Sequence, residues 1–146
     1  MGLIDDLGDG PVAVDTAPFI YFVEQNPRYL PLVRPLFEAV GRGERRIVTS
    51  SLTLLELLVV PYRTDDLVLA ARYETLLGRT PGVHLAHLSP AVLRVAARLR
   101  ATTRLKTPDA VQIASAATQG CSVFLTNDAR IPAIPGLRIV ALDSYC

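Results

Sequence analysis

Two cysteines in 146 residues, Cys121 and Cys146, are too few for a disulfide framework, so the chain suits a reducing compartment. No apolar run approaches the ~20 residues needed to cross a bilayer. The opening segment MGLIDDLGDG is acidic where a secretory signal is basic. Together these absences lead us to expect a soluble, cytoplasmic protein with no membrane partner. The net charge of +1 provides no global basic field that would announce nucleic acid. Lysine is nearly missing as well, Lys106 being the only one beside a set of arginines. No glycine-rich loop precedes a Lys-Ser/Thr pair, which excludes a Walker-type nucleotide binder.

What is present is enough for a core. A hydrophobic fraction of 50% argues against disorder. A chain of this length buries roughly 70% of the surface it would expose unfolded, most simply as one domain over residues 1–146. Residues 1–10, rich in Gly and Asp, read as a short solvated tail.

The stretch Lys106 to Asp128 organises the rest. Thr107 can cap a helix whose first position is Pro108, Asp109 falls in its first turn, and Gly120 offers a left-handed stop. Val123, Phe124 and Leu125 follow as a short apolar run, the mark of a strand buried on both faces. Thr126, Asn127 and Asp128 close it with turn chemistry. Earlier in the chain, Val12 to Val14 form a first strand ending at Asp15, and Thr16 and Pro18 open a helix. A second helix is expected from about Pro31 to Val40, with Pro35 awkward inside it. Ile47 and Val48 make a second strand leading into the helix LTLLELLVV, which Pro61 should close. Asp65 to Leu77 is amphipathic. The segment VHLAHL suggests a third strand, Ser89 caps a helix from Pro90 to about Thr103, and LRIVAL gives the last strand. Strands alternating with helices through short loops specify an α/β fold with a mostly parallel sheet covered on both faces.

In such a sheet, ligands bind outside the carboxyl ends of the strands. Asp15 ends the first strand, Asp128 follows the fourth, and Asp109 opens the helix feeding it. Glu56 interrupts an apolar run, where a carboxylate needs a partner. Four acids converging at one edge would repel each other unless a cation joined them. Oxygen ligands without nearby His or Cys select Mg²⁺ or Mn²⁺ over zinc. Such an ion suits metal-assisted phosphodiester hydrolysis, with a spare carboxylate orienting or deprotonating water. Each acid also has a plainer reading. Asp109 suits any helix N-terminus, Thr53 and Glu56 have capping-box spacing, and Asp128 is a common turn residue.

The ordered motifs VAVDTAPFIYF, SLTLLELL, TPDAVQIASAATQG and VFLTND resemble the PIN-domain nucleases, and among them the VapC-type toxins of toxin-antitoxin pairs. The resemblance covers nearly the whole chain. It implies a PIN-like three-layer α/β/α sandwich in which Asp15, Glu56, Asp109 and Asp128 are the catalytic, metal-binding acids and Thr16 and Thr126 the supporting hydroxyls. It further implies a Mg²⁺- or Mn²⁺-dependent ribonuclease acting on RNA, a cognate VapB-type antitoxin that blocks the site, and a homodimer. Arg94, Arg98, Arg100, Arg104 and Lys106 could neutralise substrate phosphates or merely face solvent. The scattered tyrosines make no base-stacking platform, and His84 and His87 fall within a predicted strand. A haloacid-dehalogenase-type phosphatase needs a second acid where Ala17 stands. The alternative from another class is a non-catalytic module that binds RNA or a protein.

Overall fold

The computed structural model describes residues 2–146. Five strands, β1 (Val12–Val14), β2 (Ile47–Ser50), β3 (Val83–Ala86), β4 (Val123–Thr126) and β5 (Arg138–Ala141), form one parallel sheet in the order β3-β2-β1-β4-β5. The helices are α1 (Leu3–Asp6), α2 (Thr16–Val23), α3 (Leu30–Gly41), α4 (Ser51–Arg63), α5 (Leu67–Arg79), α6 (Pro90–Thr102) and α7 (Thr107–Thr118), and a 3-10 turn covers Leu142–Tyr145.

The period of two along each strand divides the core between two faces. Val12, Val14, Ile47, Val123 and Leu125 point toward α2 to α5 and pack with Phe19, Leu36, Leu57, Tyr73 and Leu77. Ala13, Val48 and Phe124 point the other way, onto Val92 and Ala96 of α6 and Ala110, Ile113 and Ala114 of α7. The result is a three-layer α/β/α sandwich. Because both faces are covered, β1, β2 and β4 are buried at every position, and β1 and most of β4 read as apolar runs rather than alternating ones.

Several local expectations need correcting. From Leu3 onward the expected tail is a docked element, Met1 lying outside the described residues. Leu3 and Leu7 are only 5% and 2% exposed, and the Arg45 guanidinium donates to the carbonyls of Gly8 and Ile4. Its short apolar positions find a ready-made surface beside α3, which a local reading of Gly and Asp content does not reveal. Pro61 does not close α4, which continues to Arg63; Pro61 is buried in its last turn. Pro35 lies within α3. The carbonyl it leaves unpaired, that of Pro31, belongs to an exposed first-turn residue where water can serve it. Thr107 is the first residue of α7 rather than its cap; Lys106 takes the cap position and no side chain bonds the first turn. Gly120 does stop α7, at φ +75°.

Candidate active site

The sheet order reverses its direction of winding at β1, whose neighbours are β2 on one side and β4 on the other. A crevice opens beyond the carboxyl ends of strands at such a reversal, and here those ends carry Asp15 and Thr126 to Asp128. Asp15 leaves β1 with its amide still paired to the Leu125 carbonyl at 2.9 Å. It then caps α2, its Oδ1 accepting from the Thr16 amide at 2.8 Å. Its Oδ2 accepts from the Thr126 hydroxyl, also at 2.8 Å. The Thr126 oxygen in turn accepts the Asp128 amide at 3.0 Å. On the other side, the Thr16 hydroxyl donates to Glu56 Oε1 at 2.9 Å. Glu56, Thr16, Asp15, Thr126 and Asp128 therefore form one connected chain, and Asp109 faces it from the first turn of α7.

The charges in this crevice are poorly compensated. Burial holds Asp15 above the usual carboxylate range; the bonds from Thr126 and Thr16 oppose that, and the charges of Glu56 and Asp128 add to it. Asp109 is raised by burial, then by Asp15 and Asp128, with Arg130 and Lys106 pulling the other way. Asp128 is the exception. Arg130 bonds both its oxygens at 2.9 Å and holds it below its ordinary value. Among the described residues, Asp15, Glu56 and Asp109 make no salt bridge.

Hard oxygen donors with uncompensated charge fit Mg²⁺ or Mn²⁺. Among the described residues no group of three or more His, Cys, Asp or Glu side chains is gathered to hold a metal ion. Mg²⁺ does not require one, because it keeps several waters and is commonly held through one or two carboxylates plus substrate phosphate.

A buried polar lattice beneath the crevice fixes its walls. The Thr49 hydroxyl donates to the Val14 carbonyl at 2.8 Å and lies 2.7 Å from the Thr53 hydroxyl. Gln112 Nε2 donates to Thr53 at 2.6 Å, and its Oε1 accepts from the Ser50 amide at 3.4 Å. Ser50 also caps α4 by accepting the Leu52 amide, so the helix starts early and the capping-box reading of Thr53 and Glu56 fails. This lattice ties β1, β2, α4 and α7, which carry or precede three of the four acids.

Sequence reasoning missed Gln112, Thr53 as a core group, Arg130, and Asn127, which donates to the Tyr21 hydroxyl and accepts the Asp143 amide. A polar residue within an apolar helix was the available signal for Gln112. Of the five basic candidates, Arg104 and Lys106 line a cavity beside Asp109. Arg100 instead donates to the Leu105 carbonyl and braces its own loop. His84 is an exposed residue of β3 and His87 lies just beyond it.

A parallel α/β/α sandwich with an acidic crevice at its switch point defines a class, and the sequence comparison narrows it. Residues 12–137 match the PIN domain, and the chain belongs to that family. Its fold is similar to that of VapBC2 from Rickettsia felis, solved bound to a DNA fragment from their promoter (TM-score 0.70, 15% identity, 90% of this chain and 98% of that one). It is also similar to a toxin-antitoxin complex from Klebsiella pneumoniae (0.67, 20%, 90% and 97%). A third similar structure is the sarcin-ricin loop cleaving toxin VapC20 of Mycobacterium tuberculosis (0.63, 15%, 77% and 86%). No curated protein matches the sequence.

Proposed function

We propose that the chain is a Mg²⁺- or Mn²⁺-dependent endoribonuclease of the VapC type, the toxin of a toxin-antitoxin pair. The observation that carries this reading is the set of carboxylates Asp15, Glu56, Asp109 and Asp128 at one sheet edge, of which the first three make no salt bridge among the described residues. Membership of the PIN domain family supports it.

In this mechanism Asp15 and Asp109 would be the principal ligands, with Glu56 and Asp128 completing the acidic rim. When bound, such an ion would polarise a phosphodiester oxygen and make water more acidic. Thr126 and Thr16 fix the Asp15 and Glu56 carboxylates through their hydroxyls, so that neither must reorganise as charge develops. Glu56, held by one oxygen through Thr16, has its other oxygen free to orient or deprotonate a water.

The partner reading draws on a second feature. A cavity of about 790 Å³ between α2, α3 and α5 is lined by Phe22, Val23, Leu30, Leu67, Val68 and Leu76, and Leu67 and Val68 are 63% and 74% exposed. It suits an apolar segment of a VapB-type antitoxin. Leu55 and Tyr62, seven residues apart on one face of α4, are exposed apolar side chains that suit a second copy of the chain.

The test is cleavage of a fluorogenic RNA by purified protein in Mn²⁺. Wild type should cut it, EDTA should stop it, and Asp15→Asn and Asp109→Asn should each abolish it while the circular dichroism spectrum is unchanged. Wild-type turnover by Asp15→Asn would refute the site. RNA retained intact in excess Mn²⁺ would favour the non-catalytic module.

A further inference from the structure

A cavity of about 520 Å³ opens directly beside Asp109, between the end of α6 and the loop after β4. Its lining includes Arg104, Lys106 and Arg130, with Leu105, itself 6% exposed, and Pro132 as apolar wall. Three cations and one carboxylate thus line it, Arg130 being paired with Asp128 alongside, in a chain whose whole net charge is +1. The only lysine of the sequence is among them. The volume lies within the range of about 300–1,000 Å³ typical of small-ligand sites.

This placement answers an electrostatic problem that the acidic crevice creates. Four carboxylates repel a polyanion, so a strand of RNA can rest across them only if nearby cations hold its flanking phosphates. The cavity supplies those cations within one wall of the crevice, Asp109 being common to both. Its apolar surface can receive the face of a base, and an arginine plane can cover one.

We propose that this cavity is a nucleotide subsite of the RNA, in which Arg104 and Lys106 bind a phosphate flanking the scissile bond and the wall at Leu105 and Pro132 receives the adjoining base. Arg130 is a positioning residue of the same subsite. Its guanidinium forks onto Asp128 in the free protein, and a seated phosphate competes for that fork, which would release the Asp128 carboxylate into the crevice as substrate docks.

The assignment rests on the ribonuclease reading for its substrate, and a binding experiment separates the two. A labelled single-stranded RNA is titrated by fluorescence anisotropy in EDTA, where nothing is cut, across a series of salt concentrations. Arg104→Gln and Lys106→Gln should each weaken binding about three- to tenfold and reduce the magnitude of the log K against log salt slope by about 0.7, the value of one lost phosphate contact. Thr102→Trp, which fills the cavity from an exposed position without changing charge, should weaken binding and leave the slope alone. Thermal melts confirm that each variant is folded. If folded Arg104→Gln and Lys106→Gln keep wild-type affinity and slope, the subsite is wrong, even where wild type cuts RNA in Mn²⁺ and Asp15→Asn does not. If the losses occur as expected but wild type cuts nothing, the subsite stands and the ribonuclease reading falls. Tighter binding of an acidic peptide than of RNA at the same salt would assign the cavity to a protein partner and overturn the proposal.

Discussion

Asp15 works against the stability of the free protein. Burial and two like charges hold its folded pKa above the unfolded value, so the folded state binds the extra proton. Its contribution to stability is full below the unfolded value and is lost as pH rises through the raised folded one. Asp15→Asn keeps the volume and an acceptor for the Thr16 amide while removing the charge. It should therefore melt above wild type at neutral pH, the gap closing as pH is lowered toward the ordinary carboxylate range, with cleavage lost throughout. A lower melting temperature for the variant at neutral pH would contradict this account. Asp128 behaves in the opposite way, held low chiefly by Arg130. The pair is solvent-facing on the arginine side, at 77% exposure, and Arg130→Ala should leave apo stability nearly unchanged. It should, however, enlarge the melting-temperature increase produced by Mn²⁺, because Asp128 no longer competes for a guanidinium. An unchanged Mn²⁺ response would show that the fork does not withhold Asp128.

Gln112 shows at the level of elements why the acids keep their places. Its amide joins α7 to α4 through Thr53 and to β2 through Ser50, all fully or nearly fully buried. Gln112→Ala leaves a cavity and removes one bond each from the buried Thr53 hydroxyl and the Ser50 amide, and should cost about 2–4 kcal/mol in urea unfolding; a loss under about 0.5 kcal/mol would mean the lattice is not structural. These partners lie 59 and 62 residues from Gln112 in the chain, so no local pattern could disclose them. The strands and most helices were legible for the opposite reason. Apolar runs at Val12 to Val14 and Val123 to Leu125, the Ser89-Pro90 start and the Gly120 stop are each local signals that tertiary packing reinforces. Where packing overrode the local signal, the reading failed: Pro61 sits inside α4, and the Gly- and Asp-rich start folds onto the body through Leu3 and Leu7. Leu7→Ala should accordingly destabilise by about 2–4 kcal/mol, whereas a solvated tail would register nothing.

Over the whole molecule, the parallel sheet determines that one edge carries the proposed site. Each strand delivers its following residue to the same side, and acids far apart in sequence meet there because β1 and β4 are neighbours. The shared edge of Asp15 and Asp128 was legible, since it needs only strand ends and a parallel sheet. The compensation was not, because Arg130 reaches Asp128 by a loop fold fixed through the buried Ile131. On the proposed reading, an arrangement that concentrates negative charge in this way would be less stable alone than with a cation bound. Binding confined to the folded chain stabilises it by RT ln(1 + [L]/Kd), about 2.7 kcal/mol at a hundredfold excess over Kd. Mn²⁺ should raise the melting temperature by about 5–10 °C at saturation, and Ca²⁺, a larger ion with a different preferred coordination, should give a different increment. The increase should be largely lost in Asp15→Asn and in Asp109→Asn, and retained in Arg104→Gln, whose side chain belongs to the neighbouring cavity rather than to the acidic rim. An equal Mn²⁺ shift in all three variants would place the ion elsewhere on the surface and separate the acidic crevice from any metal-dependent reaction.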